Sequence, residues 1–93
     1  MSRREHDAYF TALEEFQLSE CARPILHEAI RASKKHPAMR SHHEAYAVIA
    51  EEFEEYWTEV KKGGSTCPRD PEALKIELIH TAAMCLRALH DLC

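Results

Sequence analysis

The sequence predicts an all-α domain. Three observations lead there. Apolar residues recur at three- and four-residue spacing through most of the chain. Its only glycines are the adjacent Gly63 and Gly64. No stretch alternates apolar and polar residues as a half-buried strand does. Ninety-three residues make a single domain, residues 1–93, with 24–92 as its core and 1–23 as an N-terminal helix or arm. A chain this short buries a modest fraction of its surface, so the expected architecture is a small helical bundle completed by oligomerisation.

Residues 5–18 read as a first helix, because Tyr9, Leu13 and Phe16 fall at helical spacing with Ala12 beside them. The pattern breaks around Ser19 to Arg23, and Pro24 suits the first turn of a new helix. Ile25, Leu26, Ala29 and Ile30 give that helix a narrow apolar stripe. Lys34 and Lys35 suit the negative end of its dipole, and Pro37 stops it. KHPAMR is then a loop.

Ser41 with Glu44 forms a capping box, S-x-x-E, opening a helix that runs to Lys62. Gly63-Gly64 supplies its C-terminal stop. At 100° per residue, Ala45, Ile49, Phe53, Tyr56, Trp57 and Val60 share one arc, which predicts the packing face. Glu52, Glu55 and Glu59 form a carboxylate stripe on its flank, and Glu54 points away. GGSTCPRD, residues 63–70, is a loop. Asp70 and Pro71 supply an N-cap and a proline at the first helical position, and the last helix reaches about Leu92. This helix is apolar over most of its circumference, through Leu74, Leu78, Cys85, Leu89 and Leu92 on one side and Ile76, Ile79, Ala83 and Leu86 on another. Such a helix is buried on more than one side. Together the last two helices predict an antiparallel hairpin. Arg87 and Asp91, four apart, read as a surface ion pair, with a contact from Arg87 to Glu77 across an interface as the alternative.

Composition bounds the partners. The net charge is −4, with no basic stripe interleaved with aromatics, so nucleic acid is not expected. No apolar run is long enough to cross a membrane. MSRREHDAYF has no apolar segment behind its charges, so the expected compartment is the cytoplasm and the four cysteines are expected as free thiols. Cys85, His90 and Cys93 do not converge on one helix face as zinc ligands would.

The chemistry-bearing feature is acidic. From Ser41 to Val60 the chain carries six glutamates and no lysine or arginine. Glu51 with Glu55, and Glu55 with Glu59, repel at i, i+4. Either solvent or a divalent cation compensates them. Glu77 has Ala73, Thr81, Met84 and Ala88 as helical neighbours, and a carboxylate in that setting is costly unless paired, hydrogen-bonded or on a metal. His80 stands one turn along.

Glu51-Glu52-Phe53-Glu54-Glu55 on one helix, a loop, then Glu77-Leu78-Ile79-His80 on the next resembles the EExxE and ExxD signature of the all-α nucleoside triphosphate pyrophosphohydrolases, the MazG-like group. The resemblance covers residues 41–92. It implies homo-oligomers, dimers or tetramers, of helical hairpins that hold Mg²⁺, with Mn²⁺ as the alternative, and hydrolyse the α–β phosphoanhydride of a nucleotide. By position it implies Glu52, Glu55, Glu77 and His80 as metal ligands and Glu51 as a further ligand or the base that orients water. Lys61, Lys62 and Arg69 are candidates for phosphate contacts by placement near the helix ends. His80 stands where the family has aspartate, and imidazole suits zinc, manganese or iron better than Mg²⁺. An altered metal, a site completed by another residue, and a non-catalytic oligomeric interaction module with a degenerate site all remain open at this point.

Overall fold

α3, Pro71–Leu92, is the helix on which the others pack. The structure is a computed structural model that describes residues 2–64 and 68–93. Residues 65–67 of the expected GGSTCPRD loop, and with them Cys67, lie outside the described residues. α1 spans Arg3–Lys35 and α2 spans His42–Lys61. No strand occurs among the described residues. α1 and α2 both pack on α3 and make no close approach to each other.

Contacts along the helices give their directions. Asp91, near the end of α3, accepts the Met39 N–H at 2.9 Å just before α2. Arg69, just before α3, donates to the Val60 carbonyl near the end of α2 at 2.8 Å. α2 and α3 therefore run antiparallel. Glu28 of α1 faces His80, and Ser33 meets Arg87, so the C-terminal half of α1 runs parallel to α3.

The two expected N-caps in this region form. Ser41 Oγ accepts the Glu44 N–H at 3.1 Å, and Glu44 reaches back to the Arg40 N–H. Asp70 Oδ1 accepts from Glu72 and Ala73. The C-terminal end of α2 closes differently from expectation. No glycine among the described residues adopts a positive φ, so Gly63 is not a left-handed stop. Its role is spatial, since a Cβ there would lie 2.7 Å from Arg69 Nε. The bare backbone lets the guanidinium reach the Val60 carbonyl, which also accepts the Gly63 N–H.

α1 is the main correction. The expected break at Ser19 to Arg23 does not occur, and Pro24 sits inside one 33-residue helix. The segment contains helix-compatible residues, and Glu20 pairs with Arg23 one turn along at 3.2 Å. Pro24 leaves the Glu20 carbonyl without its helical donor, and residue 20 is exposed, so water can satisfy it. The true start is also capped, since Ser2 Oγ accepts the Glu5 N–H at 3.2 Å. The N-terminal half of α1 is exposed throughout, and Pro37 follows the end of the helix.

The core is narrow. Among the described residues, Ala29, Ala32, Met39, Ala45, Ala83 and Met84 are its buried apolar residues, and no large side chain is fully buried. Phe53 and Trp57, expected on the packing face of α2, are 57% and 49% exposed. Ala45 and Ile49 of the expected arc do pack on the core, Val48 joins them from the glutamate flank, and Tyr56 and Val60 are half-buried. The face is rotated from the arc of largest side chains toward the glutamate flank. The radius of gyration is 17.1 Å, against about 12 Å for a compact chain of this length. The accessible surface is 7331 Å², against about 5,500 Å² for a compact monomer of this mass.

Continuity of α1 through residue 24 has a testable consequence. Pro24→Ala restores a donor to the Glu20 carbonyl and removes a ring clash, so it is expected to stabilise the fold by on the order of 1–3 kcal/mol and to raise helicity. Urea unfolding followed by circular dichroism measures both. A helix beginning at Pro24 would give no gain.

Candidate metal centre

All three helices converge on His80. α3 brings His80 and Glu77 together because they are one turn apart. α2 places Glu52 against them from the other side. His80 Nδ1 lies 3.7 Å from Glu52 Oε2 and 4.0 Å from Glu77 Oε2, and His80 Nε2 lies 3.8 Å from Glu28 Oε1. These are charge contacts, each beyond hydrogen-bond reach.

The Oε2 atoms of Glu52 and Glu77 are buried and have no hydrogen-bond donor. One ligand atom from each of Glu52, Glu77 and His80 lies within 4.8 Å of the others. Oxygen ligands sit about 2.0–2.6 Å from Mg²⁺ or Ca²⁺, so that spacing spans a single cation. Two hard oxygens with one imidazole suit Mn²⁺ as well as Mg²⁺. The residues present therefore fit a divalent cation.

Burial holds the carboxyls of both Glu52 and Glu77 above the ordinary carboxylate range. Glu55 raises both further through its charge and hydrogen bonding, and His80 pulls against the rise. Glu28 behaves oppositely. Its carboxylate is gripped by the Arg31 guanidinium, Nε at 2.8 Å, which holds it below the ordinary range.

The structure thus gathers Glu52, Glu77 and His80, with Glu55 exposed at the edge of the group. Glu51 is also exposed and lines the adjoining cleft. The three basic candidates lie elsewhere. Arg69 caps Val60, Lys61 stacks over Trp57 at 5.8 Å, and Lys62 pairs with Glu59 at 2.7 Å. None of the three lines that cleft. The sequence reading missed Glu28 and Arg31. Their three-residue spacing beside the Ile25–Ala29 stripe was the available signal. Arg87 is a correction too. It does not pair with Asp91 on the surface but is 5% exposed, donating to Ser33 Oγ at 3.2 Å and the Pro37 carbonyl at 3.0 Å. Asp91 instead receives the Met39 N–H and contacts His90, which hold its carboxyl low.

Comparison with protein-family models, curated proteins and solved structures finds no match to this chain.

The opposed carboxyl shifts predict opposed pH dependences. Glu77 and Glu52 titrate higher in the folded state, so the fold holds extra protons there. Their favourable contribution is fullest below the ordinary carboxylate value and fades as pH rises through the raised ones. Glu28 contributes above the ordinary value and loses that contribution as pH falls through its lowered one. In chelator, the melting temperature of Glu77→Gln relative to wild type is expected to climb between about pH 4 and pH 8. That of Glu28→Gln is expected to fall as pH rises toward about 5, through the lowered value to the ordinary carboxylate one, and to stay level above it. Parallel profiles for the two variants would contradict the assignment.

Proposed function

We propose that this chain is a metal-dependent nucleotide pyrophosphohydrolase of the MazG-like type, converting a nucleoside triphosphate and water to the monophosphate and pyrophosphate. The observation that carries the reading is the pair of buried, donor-less oxygens on Glu52 and Glu77, aimed with His80 at one point. The EExxE and ExxH pattern supports it, because those oxygens come from its two halves. Glu52, Glu77 and His80 would hold the cation, with Glu55 at the rim. A divalent cation bound there neutralises phosphate charge and lowers the pKa of water. Glu51 lines the cleft beside Glu52, where its carboxylate can accept a proton from an attacking water. Mg²⁺ is the family's ion, and the imidazole in the donor set makes Mn²⁺ the better fit.

The partner in this reading is a second copy of the chain. The excess accessible surface, roughly 1,800 Å² per chain, would come to roughly 3,600 Å² in a dimer, the range that obligate interfaces bury. Apolar side chains stand ready for it. On α1, Tyr9, Leu13 and Phe16 are exposed, and on α3, Leu78, Cys85 and Leu89 share an open face. Among the described residues no large side chain is fully buried, which favours a partner that is always present, another copy of the chain. No helix of the described residues is long and apolar enough to cross a membrane.

A second reading is a non-catalytic oligomeric module, favoured by His80 in the aspartate's place. Two experiments decide. Saturating Mn²⁺ is expected to stabilise the wild type by about 2.7 kcal/mol at a hundredfold excess over Kd, a shift of several degrees. Glu52→Gln should abolish that shift, and pyrophosphate release from mixed nucleoside triphosphates should follow the same pattern. A metal shift without turnover would favour a module that keeps the cation, and no shift would sink the enzyme reading and leave the module. Separately, sedimentation equilibrium is expected to show a dimer or tetramer that Phe16→Glu or Leu78→Glu dissociates. A monomeric wild type would overturn the second-copy proposal.

A further inference from the structure

Arg87 poses a problem that the metal centre does not solve. Its residue is 5% exposed, yet its guanidinium makes no ion pair with any carboxylate among the described residues. Three of its N–H groups are engaged, by Ser33 Oγ, the Pro37 carbonyl and, weakly, Met84 Sδ. A guanidinium has five, so one on each Nη remains. Asp91 feels the charge of Arg87, which helps hold its carboxyl low, but no carboxylate pairs with the guanidinium directly, and a buried arginine so placed is costly.

Arg87 lines a cleft of about 450 Å³ between the three helices, with Arg31 and His36 beside it and Glu52 and His80 also on its wall. Glu28, Glu44 and Glu51 line the cleft as well, so it presents cationic groups alongside a cation-demanding cluster. An anion entering alone meets those carboxylates. An anion entering with a cation on Glu52, Glu77 and His80 meets Glu52 neutralised, the two unengaged N–H groups of Arg87 and the Nη1 group of Arg31, whose Nε and Nη2 hold Glu28. We propose that this cleft holds a phosphate group, with Arg87 and Arg31 as its phosphate-binding residues in place of Lys61, Lys62 and Arg69. The proposal rests on the metal-centre reading and adds to it the side of the site that takes the ligand's charge. Arginine is suited to this because its planar fork meets two phosphate oxygens at once, which lysine's point charge does not.

Thermal unfolding with inorganic phosphate tests this, at ionic strength held constant with chloride, in Mn²⁺ and in chelator. In the Mn²⁺-loaded wild type, phosphate is expected to raise the midpoint beyond the rise from Mn²⁺ alone. Arg87→Lys and Arg31→Lys are expected to keep the Mn²⁺ rise and to need roughly tenfold more phosphate for the same further increment. A purely structural Arg87 would lower the midpoint of Arg87→Lys without changing its phosphate increment, and that result overturns the proposal. So does a wild type that responds to Mn²⁺ but not to phosphate, which leaves the metal reading standing. If the wild type shows no Mn²⁺ rise, the metal reading fails and the chelator series decides. A phosphate increment that Arg87→Lys removes then supports the subsite, and no increment overturns it. If Arg87→Lys does not fold, the exposed Arg31→Lys carries the same comparison.

Discussion

Close approach to α3 from two sides is the constraint on which the molecule depends. Ala83, with no exposed surface, marks the seam, and Ala29 and Ala32 from α1 and Ala45 from α2 join it in one buried cluster. Small side chains let helix backbones come near each other. Longer ones would hold Glu28 and Glu52 away from His80, and the three-helix convergence would not exist. The site is thus a by-product of an alanine seam rather than of its own attractions, which are repulsive among the carboxylates.

Two glutamates in that convergence show how environment overrides residue type. Glu28 and Glu77 both face the same imidazole. Arg31 takes the charge of Glu28 through two hydrogen bonds, so ionisation is favoured there. Glu77 has no donor on its buried oxygen and further carboxylates nearby, so ionisation is opposed. One carboxylate is settled by the protein itself. The other is left with a demand that only a proton or an outside cation meets.

Local signals were readable where their causes are local. The caps at Ser41 and Asp70 lie within a few residues of the N–H groups they satisfy, so sequence alone located α2 and α3. The acidic flank was readable for the same reason, since one helix turn brings Glu52 and Glu55 together. Pro24 misled because its cost is local but its compensation, the packing of Ile25, Ala29 and Ala32 on α3, is not. Ser2-x-x-Glu5 was a usable start signal that went unread. Phe53 and Trp57 have the size and spacing of core residues, whereas the seam selects small ones. Arg87 and Asp91 look like a surface pair from their spacing. Their actual partners, Ser33, Pro37 and Met39, lie 50 or more residues away in the chain.

Those long separations bear on the order of assembly. α2 and α3 are joined by a short connection, and their antiparallel contact closes a small loop. α1 runs parallel to α3, and its contacts join residues 54 apart, with all of α2 lying between them in the chain. Closing the larger loop costs more chain entropy before any contact repays it. Folding is therefore expected to begin with the α2–α3 pair and to end with the docking of α1. Arg87 waits for Ser33, and His80 waits for Glu28, until that last step. A newly made chain would hold Glu52, Glu77 and His80 together before α1 arrives, so its half-assembled form already presents the cation-demanding oxygens.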